Sequence, residues 1–175
     1  MKRIIALALC LCLACSVAFA EYLYDQPNQL VGIRAGWTWS SYKQAETETK
    51  SQAIDAGVDF VRYLTSSGNL GVSAGIGLEA LQHSSGTPVA YRGNIGLAYR
   101  RFLSSDSWFS CTAGGFVQLL DQQWVYGPMA DAGFVFETNQ DIGVCAGCTL
   151  RALLGGSTSL QGISATPYMM ATFRF

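Results

Sequence analysis

The chain has 175 residues, enough for one domain with a sizeable core, and its formal charge of −1 excludes the strongly basic surface that nucleic-acid binding requires. Hydrophobic residues make up 50% of the chain, charged residues only 13%, and glycine occurs 19 times. Because so few charges and so many glycines are atypical of a helix-rich soluble domain, the composition favours a chain embedded in lipid.

The first 20 residues have the features of a cleaved secretory signal peptide. Lys2 and Arg3 form its positive region, Ile4–Val17 its apolar region, and Ala18–Ala20 an A-x-A cleavage site. The apolar region is shorter than the roughly 20 residues that a membrane-spanning helix needs, which argues against an uncleaved anchor.

Lipoprotein processing at Cys15 is the alternative to cleavage after Ala20. Leu13 and Ala14 precede this cysteine as in a lipobox, but the aliphatic residue three positions before it is missing. We therefore expect a signal peptide over residues 1–20, a short periplasmic segment over 21–28 and a single folded domain over 29–175.

Eight segments of the remaining chain alternate apolar and polar residues with a period of two, which is the pattern of β-strands with two different faces. In chain order the predicted strands are Leu30–Ser40, Ala53–Tyr63, Leu70–Leu81, Val89–Phe102, Trp108–Leu120, Val125–Glu137, Ile142–Leu153 and Ile163–Phe175. The third is the most regular, because every second residue from Leu70 to Ala80 is apolar and Gly, Ser or Glu lies between. We predict an all-β fold, an antiparallel up-and-down transmembrane β-barrel of about eight strands.

A soluble, lipocalin-like barrel has the same alternation with its apolar face turned inward. The polar face of these strands consists largely of Gly, Ser and Thr, which make a poor solvent surface but a suitable filling for a narrow lumen. The composition of this face therefore favours the transmembrane barrel.

Aromatic residues gather near the strand ends, where lipid-facing rings meet the two membrane surfaces. One predicted girdle consists of Trp37, Trp39, Tyr91, Trp124 and Tyr126. The other consists of Phe60, Tyr99, Phe102, Phe109, Phe134, Phe136, Phe173 and Phe175. Sorting of aromatics by height has no purpose in a soluble barrel.

Tight turns and longer polar connections alternate along the chain. Tight turns are predicted at Ser66–Asn69, Ser104–Ser107 and Thr138–Asp141, and we expect them on the periplasmic side. The longer connections predicted on the outside are Ser41–Gln52, Gln82–Pro88, Asp121–Gln123 and Leu154–Gly162.

Ten charged residues within the strands share the parity of the polar face, so we expect these ten to point into the lumen. Five are arginines: Arg34, Arg92, Arg100, Arg151 and Arg174. Five are carboxylates: Asp55, Asp59, Glu79, Asp131 and Glu137. Equal numbers of opposite charges in a narrow lumen predict a paired network that blocks ion flow, and a gated pore is the alternative.

No motif predicts enzymatic, metal or cofactor chemistry. His83, beside Ser84 and Ser85, loosely resembles the site of barrel enzymes that act on lipids, but no acidic residue follows at a spacing that would orient it. Cys145 and Cys148 form C-x-x-C within a strand, where residues three apart point to opposite faces and are too distant to bridge. Cys111 is predicted to face lipid, as is Cys148, which leaves a bond between neighbouring strands open.

The terminal segment Phe173-Arg174-Phe175 resembles the signal that the outer-membrane assembly machinery reads in its clients. With the signal peptide and eight strands, it makes residues 29–175 similar to small outer-membrane barrels of the OmpA/OmpX type and, to a lesser degree, of the OmpW type. The resemblance implies location in the bacterial outer membrane, with outer-membrane lipid and the assembly machinery as partners. It also implies a structural role, a host or surface ligand bound through external loops, or a narrow pore, and it does not choose among these.

Overall fold

The strands predicted from the alternation are present and close into one barrel. The computed structural model describes residues 29–44, 47–64, 69–82, 88–120, 123–138, 142–155 and 160–174. Eight strands lie within these ranges: β1 (Gln29–Gln44), β2 (Thr47–Tyr63), β3 (Leu70–Leu81), β4 (Val89–Ser104), β5 (Ser107–Leu120), β6 (Gln123–Glu137), β7 (Ile142–Gly155) and β8 (Leu160–Arg174). Each strand pairs antiparallel with its sequence neighbours and β8 pairs with β1, which confirms the up-and-down barrel. Over the same ranges no helix is long and apolar enough to cross a membrane.

The two faces of the sheet are oriented as the transmembrane prediction requires. Large aliphatic side chains point outward, and Leu97, for example, is 71% exposed. Polar and charged side chains point inward, and Asp55 is 0% exposed. An apolar exterior around a polar interior is stable only in lipid, so the soluble, lipocalin-like alternative is excluded.

The two ends of the barrel differ in their connections. We call the end with the β2–β3, β4–β5 and β6–β7 connections the turn end, and the other the loop end. At the turn end, the β4–β5 turn is as tight as predicted, with the hydroxyls of Ser104 and Ser107 2.7 Å apart. The β6–β7 connection is closed by a bond of 2.9 Å from the Thr138 amide to the Ile142 carbonyl.

Two of the predicted long loops are largely strand instead. Within Ser41–Gln52, β1 continues to Gln44 and β2 begins at Thr47. Within Leu154–Gly162, β7 ends at Gly155 and β8 begins at Leu160. Strand ends that extend beyond the lipid need no apolar face, so these extensions have the polar composition of loops. They are nevertheless paired with their neighbours in the sheet, and Lys43, for example, lies opposite Glu48 and Gln161.

Candidate functional site

The centre of the lumen is occupied by an ion-pair network. Arg92, from β4, donates from Nη1 to Oδ2 of Asp55 and to Oε1 of Glu79, both at 2.5 Å. The register brings these groups together, because Asp55 lies opposite Glu79 and Arg92 lies opposite Gly77, two positions from Glu79 on β3. A Cβ on Gly77 would lie 2.7 Å from Nη2 of Arg92, so only glycine leaves room for this guanidinium.

Glu79 is the most connected carboxylate of the network. Besides Arg92, it accepts a hydrogen bond from Nη1 of Arg151 across the lumen and one of 3.0 Å from Nε2 of Gln118. Arg151 also donates to the hydroxyl of Thr166 at 2.5 Å, and that hydroxyl lies 2.8 Å from the Thr38 hydroxyl. Glu79 therefore joins the side chains of four strands directly, and through Arg92 and Arg151 the connected groups extend to three more strands.

Arg34 extends the network toward the turn end. Its Nε lies 3.2 Å from Oδ1 of Asp55, and its Nη1 lies 3.4 Å from Oδ2 of Asp59. The inner network thus holds three arginines, Arg34, Arg92 and Arg151, against three carboxylates, Asp55, Asp59 and Glu79. Its formal charge is zero, and pairing offsets much of the cost of removing these groups from water.

The other four predicted lumen charges lie outside this inner network. Asp131 accepts hydrogen bonds of 2.6 Å from the Thr149 hydroxyl and 2.8 Å from the Tyr168 hydroxyl. Arg174 and Glu137 form a separate pair at the turn end, with Nη1 2.6 Å from Oε1. The prediction of one network of ten charges is therefore too simple.

Arg100 stacks on aromatic rings. Its Cζ lies 3.8 Å from the ring centre of Tyr63, 4.7 Å from that of Phe102 and 5.9 Å from that of Trp108. The side chain of Arg100 is only 2% exposed, and these cation–π contacts offset part of the free-energy cost of removing its guanidinium from water.

Phe102, predicted to lie in a lipid girdle, is exposed but does not share the outward parity of the other girdle residues. Its function in a girdle stays a prediction. Its ring contacts Trp108, a lumen residue, with the ring centres 5.9 Å apart. Phe102 has the parity of the inward residues of β4, and a register irregularity lies between it and Ser104 at the strand end. The other described girdle residues share the outward parity of their strands, and their function as girdles stays a prediction.

Two buried apolar clusters lie on either side of the charge network. The turn-end cluster consists of Leu30, Trp108, Val135, Cys145 and Tyr168. The loop-end cluster consists of Phe116, Val125, Met129 and Leu153, with Tyr42 packed against it. A hydrated ion would have to pass both clusters to cross the lumen.

The cavity inside the lumen is small. A space of about 50 Å³ lies between the charge network and the turn-end cluster, next to Asp59, Asn94 and Asp131. Since one water needs roughly 10 to 15 Å³ of such space, it holds only a few waters.

Several residues that build this site were missed in the sequence. Tyr63, Trp108, Phe116 and Tyr168 point inward, although aromatic residues in these strands were expected at the lipid surface. Their parity is the signal that identifies them, because each lies an even number of positions from an inward charge or glycine on its own strand.

The remaining candidates for chemistry are separated from one another. Cys145 is buried inward and Cys148 points outward, as predicted. Cys111 and Cys148 lie on either side of Ala132, on strands that are not neighbours, so the bond between neighbouring strands is excluded. No cluster of three or more metal-ligating side chains occurs among the described residues. His83 and Phe175, like the signal peptide, lie outside the described ranges.

Comparison with known proteins places the fold. No protein-family model and no curated protein sequence matches the chain. Neisserial surface protein A superposes with a TM-score of 0.62 at 10% identity, over 83% of this chain and 97% of that one. The N-terminal β-barrel domain of Pseudomonas aeruginosa OprF gives 0.55 at 14% identity, over 86% and 100%. Ail, the attachment invasion locus protein of Yersinia pestis, solved with the heparin analogue sucrose octasulfate, gives 0.51 at 10% identity, over 85% and 99%.

These similarities are similarities of fold, and they agree with the resemblance to the OmpA/OmpX type found in the sequence. The lipid-facing exterior and closed antiparallel topology are those of outer-membrane barrels. The chain is therefore a small eight-stranded transmembrane β-barrel with the fold of bacterial outer-membrane proteins.

Proposed function

We propose that the protein is a sealed outer-membrane barrel with a structural or surface-interaction role, and that its ion-pair network plugs the lumen. The observation that carries this proposal is the inner network of Arg34, Arg92, Arg151 and their three carboxylates, enclosed between two apolar clusters. Partners that fit are outer-membrane lipid, the assembly machinery that reads the terminal strand, and a ligand at the cell surface.

A narrow pore for small solutes is the alternative function. It would need hydrated, unpaired charges along the lumen. Asp55 and Arg92 are instead 0% and 5% exposed and are paired with each other. A lipid-modifying enzyme has less support, because its candidate His83 has no orienting acidic partner in the sequence. We therefore propose no enzymatic activity.

Conductance in planar bilayers tests the plug. We expect no steady channel from the wild type, because breaking the ion pairs and dehydrating the passing ion would both cost free energy. A steady wild-type conductance that changes on Arg92→Ala would contradict the plug and support the pore. Glu48→Gln, at the exposed β1–β2 hairpin, is the control for charge effects outside the lumen.

The surface role rests on the β1–β2 hairpin, whose strands continue four to five residues beyond Trp39 and Gln52. Lys43, Glu48 and Lys50 are exposed on it. Ail was solved with a polyanion, and a ligand of the present chain would meet these side chains first. This role requires that the hairpin be exposed on intact cells, which antibody binding to an epitope tag between Gln44 and Thr47 tests.

A further inference from the structure

The seam that closes the barrel, between β1 and β8, is interrupted at one place. The two strands are paired on both sides of this gap. Within it, Trp37 and Thr38 of β1 are not paired with the opposite residues of β8, Pro167 and Thr166. The gap lies well inside both strands, so fraying at a strand end does not explain it.

A proline accounts for the gap. Pro167 has no N–H, so it cannot donate the ladder hydrogen bond to the Trp37 carbonyl. In an antiparallel ladder that bond belongs to the pair of Trp37 with Pro167 and also borders the pair of Thr38 with Thr166, so its absence removes both pairs. Water does not replace a missing donor in a lipid-facing wall, so the gap weakens the closing seam at this level.

Side chains join the two strands where the main chain does not. The hydroxyls of Thr38 and Thr166 lie 2.8 Å apart on the lumen side of the gap. These residues are 1% and 0% exposed, so solvent does not compete for the bond between them. Thr166 accepts a second hydrogen bond from Nη2 of Arg151, which is itself bonded to Glu79. The hydroxyl bridge is therefore anchored to the ion-pair network.

A second proline interrupts the β6–β7 ladder in the same way, and this seam serves as an internal comparison. Pro128 and the preceding Gly127 are not paired with the opposite residues, Ala152 and Leu153. Gly127 and Leu153 correspond to Thr166 and Thr38, but their side chains have no polar atom. The strands instead approach so closely that a Cβ on Gly127 would collide with the Ala152 carbonyl oxygen. A hydroxyl bridge is thus not a general consequence of proline in these strands.

We propose that Thr38 and Thr166 form a latch that keeps the closing seam shut where Pro167 interrupts it, and that Arg151 holds the latch in place. Release of the latch opens the seam locally, while the paired residues on both sides of the gap stay together. The ion-pair network thereby has a second role, in closing the wall of the barrel. This role is separate from blocking the lumen, so the proposal holds for a plug and for a pore alike.

Amide-resolved hydrogen exchange of the folded barrel in detergent micelles tests the latch. The reporter is the Trp39 amide, in the first β1–β8 pair beyond the gap. Thr38→Val removes one hydroxyl and keeps the shape of the side chain, so we expect it to speed this exchange about tenfold, the equivalent of one hydrogen bond. Thr38→Ser keeps the hydroxyl and should remain near wild type. The matched control is Thr172→Val, because Thr172 is also buried on β8 but lies opposite Gly32 in an uninterrupted part of the seam.

Restoring the missing donor gives an independent readout. Pro167→Ala returns an N–H to the gap and should slow exchange of the Trp39 amide. In that background Thr38→Val should speed exchange by about threefold at most, because the two changes act on one contact. Heat-modifiable gel mobility verifies folding, and a Thr38→Val chain that folds only together with Pro167→Ala would also support the latch. Equal acceleration by Thr38→Val in both backgrounds, no acceleration by it, or the same acceleration by Thr172→Val would each overturn the proposal.

Discussion

At the scale of single residues, Glu79 determines how the lumen charges are balanced. It is 4% exposed and accepts hydrogen bonds from Arg92, Arg151 and Gln118. A buried carboxylate with charged donors is stabilised only while its partners remain, and the same holds for the arginines. Removal of this one charge leaves two guanidiniums with less compensation.

Glu79→Gln should therefore destabilise the barrel by about 3 kcal/mol, since it leaves a net positive charge buried in the network. Urea unfolding of the barrel in lipid, followed by tryptophan fluorescence, measures the free energy of unfolding. The control is Glu137→Gln, which also removes one carboxylate, but breaks only its pair with Arg174, near the turn end and partly exposed. Equal losses in the two variants would show that burial of the inner network is not the cause.

The sequence predicts which residues face the lumen but not which of them meet. Parity alone places Arg34, Glu79 and Arg151 inside, because successive side chains alternate across a strand. Partners depend on how far neighbouring strands are shifted along one another and on which strands face each other across the lumen. Arg100 shows the consequence, since parity places it inside but does not indicate that it stacks on Tyr63.

At the scale of strands, β5 carries aromatic residues on both faces. Trp108 is 1% exposed inside the barrel, whereas its neighbour Phe109 points to lipid. The alternation predicted the strand correctly. The inward position of Trp108 was missed because aromatic residues were expected at the lipid surface. Lengths were predicted less well than faces, because the polar ends of β1 and β2 lack the apolar alternation on which the prediction depended.

Quenching by lipids with brominated acyl chains tests these orientations. The chain has four tryptophans, and Trp37, Trp39 and Trp124 have the outward parity of their strands. A variant that keeps only Trp108, with the other three replaced by Phe, should show little quenching in such lipids because the ring does not contact acyl chains. A variant that keeps only Trp39 should be strongly quenched. Strong quenching of Trp108 would contradict the inward assignment.

At the scale of the whole molecule, the barrel has two different ends. The β1–β2 strands project beyond the level of Trp39 at the loop end, while the β4–β5 strands close in a two-residue turn at Ser105 and Asp106. Barrels of this class place short turns in the periplasm and longer extensions outside the cell. The surface role depends on the loop end facing outward.

Epitope tags on intact cells determine this orientation. A tag between Gln44 and Thr47 should bind antibody on intact cells, because this position connects the two strands of the projecting hairpin. A tag between Ser105 and Asp106 should bind only after the outer membrane is permeabilised. Both insertions leave the described strands intact, and heat-modifiable mobility verifies folding. The reverse pattern would place the projecting hairpin in the periplasm, where it meets no surface ligand, and would contradict the surface role.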